Sequence, residues 1–349
     1  MTTTTQTPGT VDQLWYTRCP VPTASGIAHR LGWLDEEFAA DGLALGVLQD
    51  APPELARHHF DHRLVGLFRE GGNVPALVAR SQGAPTRLIG LTWIEEWQSI
   101  IVRPDSGITD AASLRGVRVA VPGWARTVAQ SFPRAMALHG YAGALRSAGL
   151  DLSAVEQVEV DPRLDPSVGR DARRGAWPGV RELERGDVDA VYVKGARAVE
   201  EAQSIGAVVG VDLDAFEDPS LRVNNGTPRP VTVHADLLRD RPDVVTRFLV
   251  RSLRAAQWAA SNLEGIRDLL ALETGSGRDG VVRAYGDTFH RSLAPSLDDG
   301  RLGLLAQQEQ FLADHGFLED RVDVRSWAAH EPLAAALAVV GDDVRGQVR

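Results

Sequence analysis

The chain has 349 residues, 44% hydrophobic and 24% charged, which suits two lobes or one domain with large insertions rather than one small core. Acidic residues outnumber basic ones 47 to 37, a formal charge of -10, which excludes a nucleic-acid binder with a basic face and argues against a protein held on anionic lipid. A single cysteine, Cys19, excludes an internal disulfide, and no apolar run reaches the roughly 18 residues that a membrane span requires.

The first residues, "MTTTTQTPGTVDQ", are polar and lack the basic and apolar regions of an export signal, so the expectation is a short disordered start and a cytoplasmic protein. "DQLWYTRCPV" then reads as a strand ended by Pro20. "ASGIAHRLGWLDEEFAADG" carries Ile27, Leu31, Leu34 and Phe38 at helical spacing, and "LALGVLQD" is a second strand. A helical region is expected around 54–68, followed by a strand pair, "TRLIGLTWI" and "QSIIVRP". "ITDAASLRGVRVAVPG" gives a short helix and a strand. Alternation continues through "VEQVEV", "GVRELERGDVDAVYVKG", "AVVGVDL" and "RPVTVHADLLRD". From the long helix after 242 to about 341 the chain reads as almost entirely helical. Strands alternating with helices predict an α/β protein with mostly parallel sheets.

Cys19 has three readings: a lipid-attachment site, an inert core residue or a nucleophile. The leader and the preceding Arg18 exclude the first. Its place at a strand end beside Pro20 is where a cleft opens. "HHFDH" gathers His58, His59, Asp61 and His62. His58 and His62 are expected on one helical face as surface or supporting groups, because the glutamate of HExxH and a third metal ligand are absent. "GSGRDG" at 275–280 fits GxGxxG but follows no strand, so no nucleotide is expected there.

"ITDAASLRGVRVAV" followed by "LERGDVDAVYV" resembles the type II periplasmic-binding-protein fold. The resemblance implies two lobes with crossings near Arg103 to Asp105 and near Asn224 to Pro228. Lobe I is then 1–103 plus 228–349 and lobe II 104–227, with a ligand cleft between them. "CPVP" at 19–22, "HHF" at 58–60 and "FREGGNVPAL" at 68–77 further resemble the aryl sulfinate desulfinases, enzymes on this fold that cleave a C–S bond with release of sulfite.

That resemblance implies a catalytic Cys19, His59 and Arg69 with Gly72 beside them; Gly71 and Gly72 are expected as oxyanion donors, and Phe60, Trp124 and Phe132 are what this chain offers to line the substrate site. It calls for no cofactor and no metal, and for an anionic organic sulfinate, most simply aromatic, as the only partner. The segment after "VAVPG" is shorter than in the family, so the chemistry carries over better than the substrate. A planar guanidinium suits two sulfinate oxygens. Glycines admit close backbone N–H donors, and an imidazole can tune a thiol or carry its proton. Glu70, beside Arg69, is expected to point away from the anion.

Two routes stay open: the thiol protonates the ring carbon and SO2 leaves, or the thiolate attacks sulfur. The rival of another class is a non-catalytic solute-binding protein of an ABC transporter, which would need the export signal this leader lacks. Thiamine-pyrimidine synthases share the scaffold but use a cysteine-rich iron motif that one cysteine cannot supply.

Overall fold

The computed structural model describes residue 11 and residues 13–162 and 177–346. The polar leader expected to be disordered lies outside them, apart from Val11 and Gln13. Among the described residues, ten strands form two five-stranded sheets, β1 (Gln13–Tyr16), β2 (Ala44–Val47), β3 (Leu67–Glu70), β4 (Thr86–Thr92) and β10 (Arg229–His234) making the first in the order β2-β1-β3-β10-β4. The second has the order β7-β6-β8-β5-β9, from β5 (Gln98–Val102), β6 (Arg118–Pro122), β7 (Glu156–Val160), β8 (Ala190–Lys194) and β9 (Val208–Asp212). The mixed α/β architecture expected from the alternation is present, with a helical C-terminal region from Pro242 onward.

Each sheet is parallel except for one strand. β10 runs antiparallel to both β3 and β4, and β5 runs antiparallel to both β8 and β9. In each case the reversed strand is the first one after the chain changes sheets. β3, β5, β8 and β10 are buried along their whole length. Their apolar runs, such as "SIIV" and "AVYV", fit strands covered on both faces.

Two expectations are corrected. The first crossing lies between Thr92 and Gln98, ahead of the expected Arg103–Asp105, because 98–102 pairs with β8 and β9 and not with β4. Two consecutive apolar strands read from sequence as neighbours, yet the short "WIEEW" link between them carries the chain from one sheet to the other. Nor is 54–68 one helix. It holds two single turns, Pro53–Ala56 and His58–Asp61, and the segment continues into β3, which carries Arg69. Among the described residues, no helix is long and apolar enough to cross a membrane.

Candidate active site

Three segments of the first sheet converge on Cys19. It lies three residues beyond β1, in a turn that leads through Thr23, the N-cap of helix Ala24–Arg30. Its side chain is partly exposed, and its Sγ accepts a hydrogen bond from Nη1 of Arg229 at 3.1 Å. Arg229 opens β10, the strand beside β3, and is 5% exposed. Nothing local in the sequence marked this arginine, which lies 210 positions from the cysteine it meets.

Arg69, 1% exposed, is fixed from two sides: Nε donates to the His59 carbonyl at 3.1 Å and Nη1 to the Gly72 carbonyl at 3.0 Å. Its Nη2 is buried without a partner among the described residues. Burial pushes the Arg69 guanidinium down to about 10, with charge on Cys19 opposing and Arg229 assisting that shift. It remains a cation at neutral pH. The fork therefore has two ends tied to backbone and one free for an anion.

His59 sits on the His58–Asp61 turn with its ring edge-on to Phe60, centroids 4.9 Å apart. Its Nδ1 is buried and unpartnered among the described residues. Desolvation, then the charges of Arg69 and Arg229, hold its pKa well below the usual histidine range, so the imidazole is neutral. His62, expected at the surface or as a supporting group, is 2% exposed, beyond the helical turn at φ 54. Both its ring nitrogens are unpartnered among the described residues, and burial, then Arg69 and His59, keep it neutral too. His58 pairs with Asp61 instead.

Glu70 follows the alternation of β3 and turns away from Arg69's binding end. Its carboxylate accepts from Ser25 Oγ at 2.5 Å, Ser25 N at 3.2 Å and Thr92 Oγ1 at 3.0 Å. Burial raises its pKa, while Ser25 and the Arg229 charge act in the opposite direction. The acid so ties the start of helix Ala24–Arg30 to the sheet.

Gly71 differs from its expected role. The Gly71 N–H already donates to the Pro230 carbonyl at 3.3 Å, so it is not an oxyanion donor. A Cβ there would lie 3.0 Å from the Arg69 guanidinium, so Gly71 makes room for that group. At Gly72 a Cβ would lie 2.4 Å from Asn225 Nδ2, and Asn225 caps helix Asn73–Ser81, accepting from Asn73 N and Val74 N. Trp124 is 45% exposed, packs on Phe317 with ring centroids 4.7 Å apart and lies under Arg134. Phe132 opens helix Phe132–Ser147, and the turn before it, Val128–Ser131, packs on His58–Asp61 and Asn73–Ser81. Among the described residues no three His, Cys, Asp or Glu side chains form a metal cluster.

The NMT1/THI5-like family profile matches residues 27–265. The 2'-hydroxybiphenyl-2-sulfinate desulfinase of Rhodococcus erythropolis is 32% identical over 93% of this chain and 94% of its own length, as is that of Rhodococcus qingshengii. The chain belongs to the sulfinate desulfinase family.

The solved structures agree with this membership. A mutant of the desulfurization enzyme DSZB in complex with biphenyl-2-sulfinic acid superposes with a TM-score of 0.78 at 27% identity, covering 94% of this chain and 99% of the other. DSZB itself gives 0.76 at 28% identity with the same coverage. The aliphatic sulphonate binding protein SsuA of Escherichia coli, 16% identical over 92% of this chain and 93% of its own, gives 0.66 and shares the fold alone. The periplasmic-binding-protein-like fold expected from the lobe pattern is the fold of this desulfinase family member.

Proposed function

We propose that the protein cleaves the C–S bond of an aromatic sulfinate and releases sulfite, using Cys19, His59 and Arg69. The observation that carries this reading is a lone thiol beside buried guanidinium groups, one of which, Arg69, keeps an N–H without an acceptor among the described residues. A buried cation with an unspent donor is costly unless an anion completes it. The complex of the related DSZB with biphenyl-2-sulfinic acid supports an aryl sulfinate as that anion.

The neutral His59 favours one of the two routes. A neutral His59 is not an imidazolium acid, and in this reading the proton that replaces sulfur on the ring carbon comes from the Cys19 thiol. The C–S bond breaks as the C–H bond forms, its electron pair staying on carbon, and SO2 departs. Water adds to SO2 to give bisulfite and a proton, and that proton restores the thiol. A sulfonate-binding protein on the same fold has no use for a thiol at its anion site, so the solute-binding alternative leaves Cys19 unexplained.

The test is sulfite release from biphenyl-2-sulfinate by the wild type and by Cys19→Ser. We expect steady turnover in the first and loss of at least about 100-fold in the second, the usual scale for a positioned proton donor. No sulfite from any aryl or alkyl sulfinate would falsify the function. Undiminished release by Cys19→Ser would leave the function and overturn the mechanism. An SO2 adduct on Cys19 in intact-mass spectra would move the chemistry to thiolate attack on sulfur.

A further inference from the structure

We propose that Arg229 is the second anion-binding residue of this site, holding with Arg69 the oxygens of the bound sulfinate and of the departing sulfite. The identity of the anion rests on the desulfinase reading. The placement of Arg229 does not.

A structural arginine spends its fork on fixed acceptors. Arg118 is such a case, with Nε and Nη2 on the Asp189 carboxylate and further bonds to the Asp187 and Gly186 carbonyls. Arg229 is more deeply buried, and its one side-chain hydrogen bond among the described residues goes to the Cys19 sulfur, a weak acceptor. Its Nε is buried with no partner among the described residues. The neighbouring buried carboxylates are taken: Glu70 by Ser25 and Thr92, Glu96 by Lys194 and Tyr285. The Glu70 charge is close enough to interact with the guanidinium, so it offsets part of the cost of the buried charge without consuming the donors.

Space is kept open on the same side. A Cβ on Gly226 would lie 3.2 Å from Arg229 Nη2 and 3.1 Å from Lys194 Nζ. Arg69 feels the charges of Arg229 and Cys19, and Arg229 bonds the Cys19 sulfur directly. Two cations thus flank one sulfur, each with an unspent N–H. A group with two oxygens on sulfur matches this pair, and sulfite, with three oxygens and more negative charge, matches it better still. Product sulfite is therefore expected to compete with substrate.

The test is alkylation of Cys19 by iodoacetamide with and without sulfite or biphenyl-2-sulfinate, alongside steady-state kinetics. Sulfite should protect the wild-type thiol. In Arg229→Gln the sulfite concentration for half-protection and the KM should both rise about ten- to a hundredfold, the scale of one charge-assisted hydrogen bond, with kcat falling less. Added guanidinium ion should restore part of the protection, which a purely structural role would not allow. Arg229→Lys keeps the charge and should weaken protection by roughly threefold or more, since it loses the fork. That variant decides the matter if Arg229→Gln fails to fold. Half-protection and KM within twofold of wild type in the folded variants, or no sulfite protection of the wild type, overturns the proposal. A wild type that turns over no sulfinate yet shows Arg229-dependent protection by sulfite would sink the desulfinase reading and leave this one standing.

Discussion

Gly72 shows how tightly the residues around Arg69 are fitted. Its carbonyl receives Arg69, and its α-carbon faces Asn225 at a separation that leaves no room for a methyl group. Gly72→Ala must push Asn225 aside, since real Cβ atoms do not approach a neighbour at 2.4 Å. The expected result is a stability loss of about 1–3 kcal/mol by urea unfolding, typical of overpacking. A fall in kcat/KM for sulfinate should accompany it, because Arg69 loses one of its two fixed partners. Unchanged stability and activity would show that the loop yields freely. Cys19, His59 and Arg69 stood out as candidates in the sequence because three short motifs carry them. Arg229 was not, since "TPRPVTV" reads as an ordinary strand start and its partner is on the far side of the chain.

At the scale of elements, the loop Asn224–Pro228 does more than carry the chain between sheets. Asn225 caps helix Asn73–Ser81 through its own carbonyl and Oδ1. Asn73 in turn donates to the carbonyls of Asn224 and Pro228 at 2.6 and 2.9 Å. A helix start and a distant loop therefore hold each other, and with them the Gly72 carbonyl that orients Arg69. Asn225→Ala should cost about 1 kcal/mol, the usual value of a lost N-cap side chain, measured as a shift in the urea midpoint. Because Arg69 depends on that geometry, KM should rise as well; a midpoint shift with KM unmoved would confine the loop to a structural role. "NGT" at 225–227 gave no hint of this, as a cap supplied from 151 positions away has no sequence signature. β3 was hidden for a related reason: four residues between a short helical turn and helix Asn73–Ser81 are too few to show a period.

The whole molecule carries several histidines kept neutral by burial, and these set its response to acid. His139, stacked on Phe311 and bonded to Gln308, is pushed down to about 3 by desolvation, with the Gln308 bond opposing. His62 is likewise held well below the usual value. A depressed folded-state pKa means that the unfolded chain takes up a proton near pH 6.5 and the native one does not. Stability present above that pH is then lost as pH falls toward the folded value. Between pH 7.5 and 5.5 each such histidine should remove about 1.4 kcal/mol from the unfolding free energy. His139→Leu should lower stability at pH 7.5 yet flatten its decline by about that amount. An identical slope in the variant would show that His139 titrates normally in the native state. The sheet arrangement was only partly readable: the alternation of strands and helices gave the α/β class, but not the strand that reverses in each sheet, since direction is set by the crossings and not by any residue in the strand.

The order of the strands has a consequence for how the chain is made. By Asp212 every strand of the second sheet has been synthesised, so that sheet can assemble while the ribosome is still at work. The first sheet cannot, because β10 lies between β3 and β4 and leaves a gap at its centre until His234 emerges. The half that begins first is thus completed last. Asn225, which caps helix Asn73–Ser81, and Arg229, which bonds the Cys19 sulfur, arrive with the strand that closes the gap, so nascent chains lacking it carry the thiol without them.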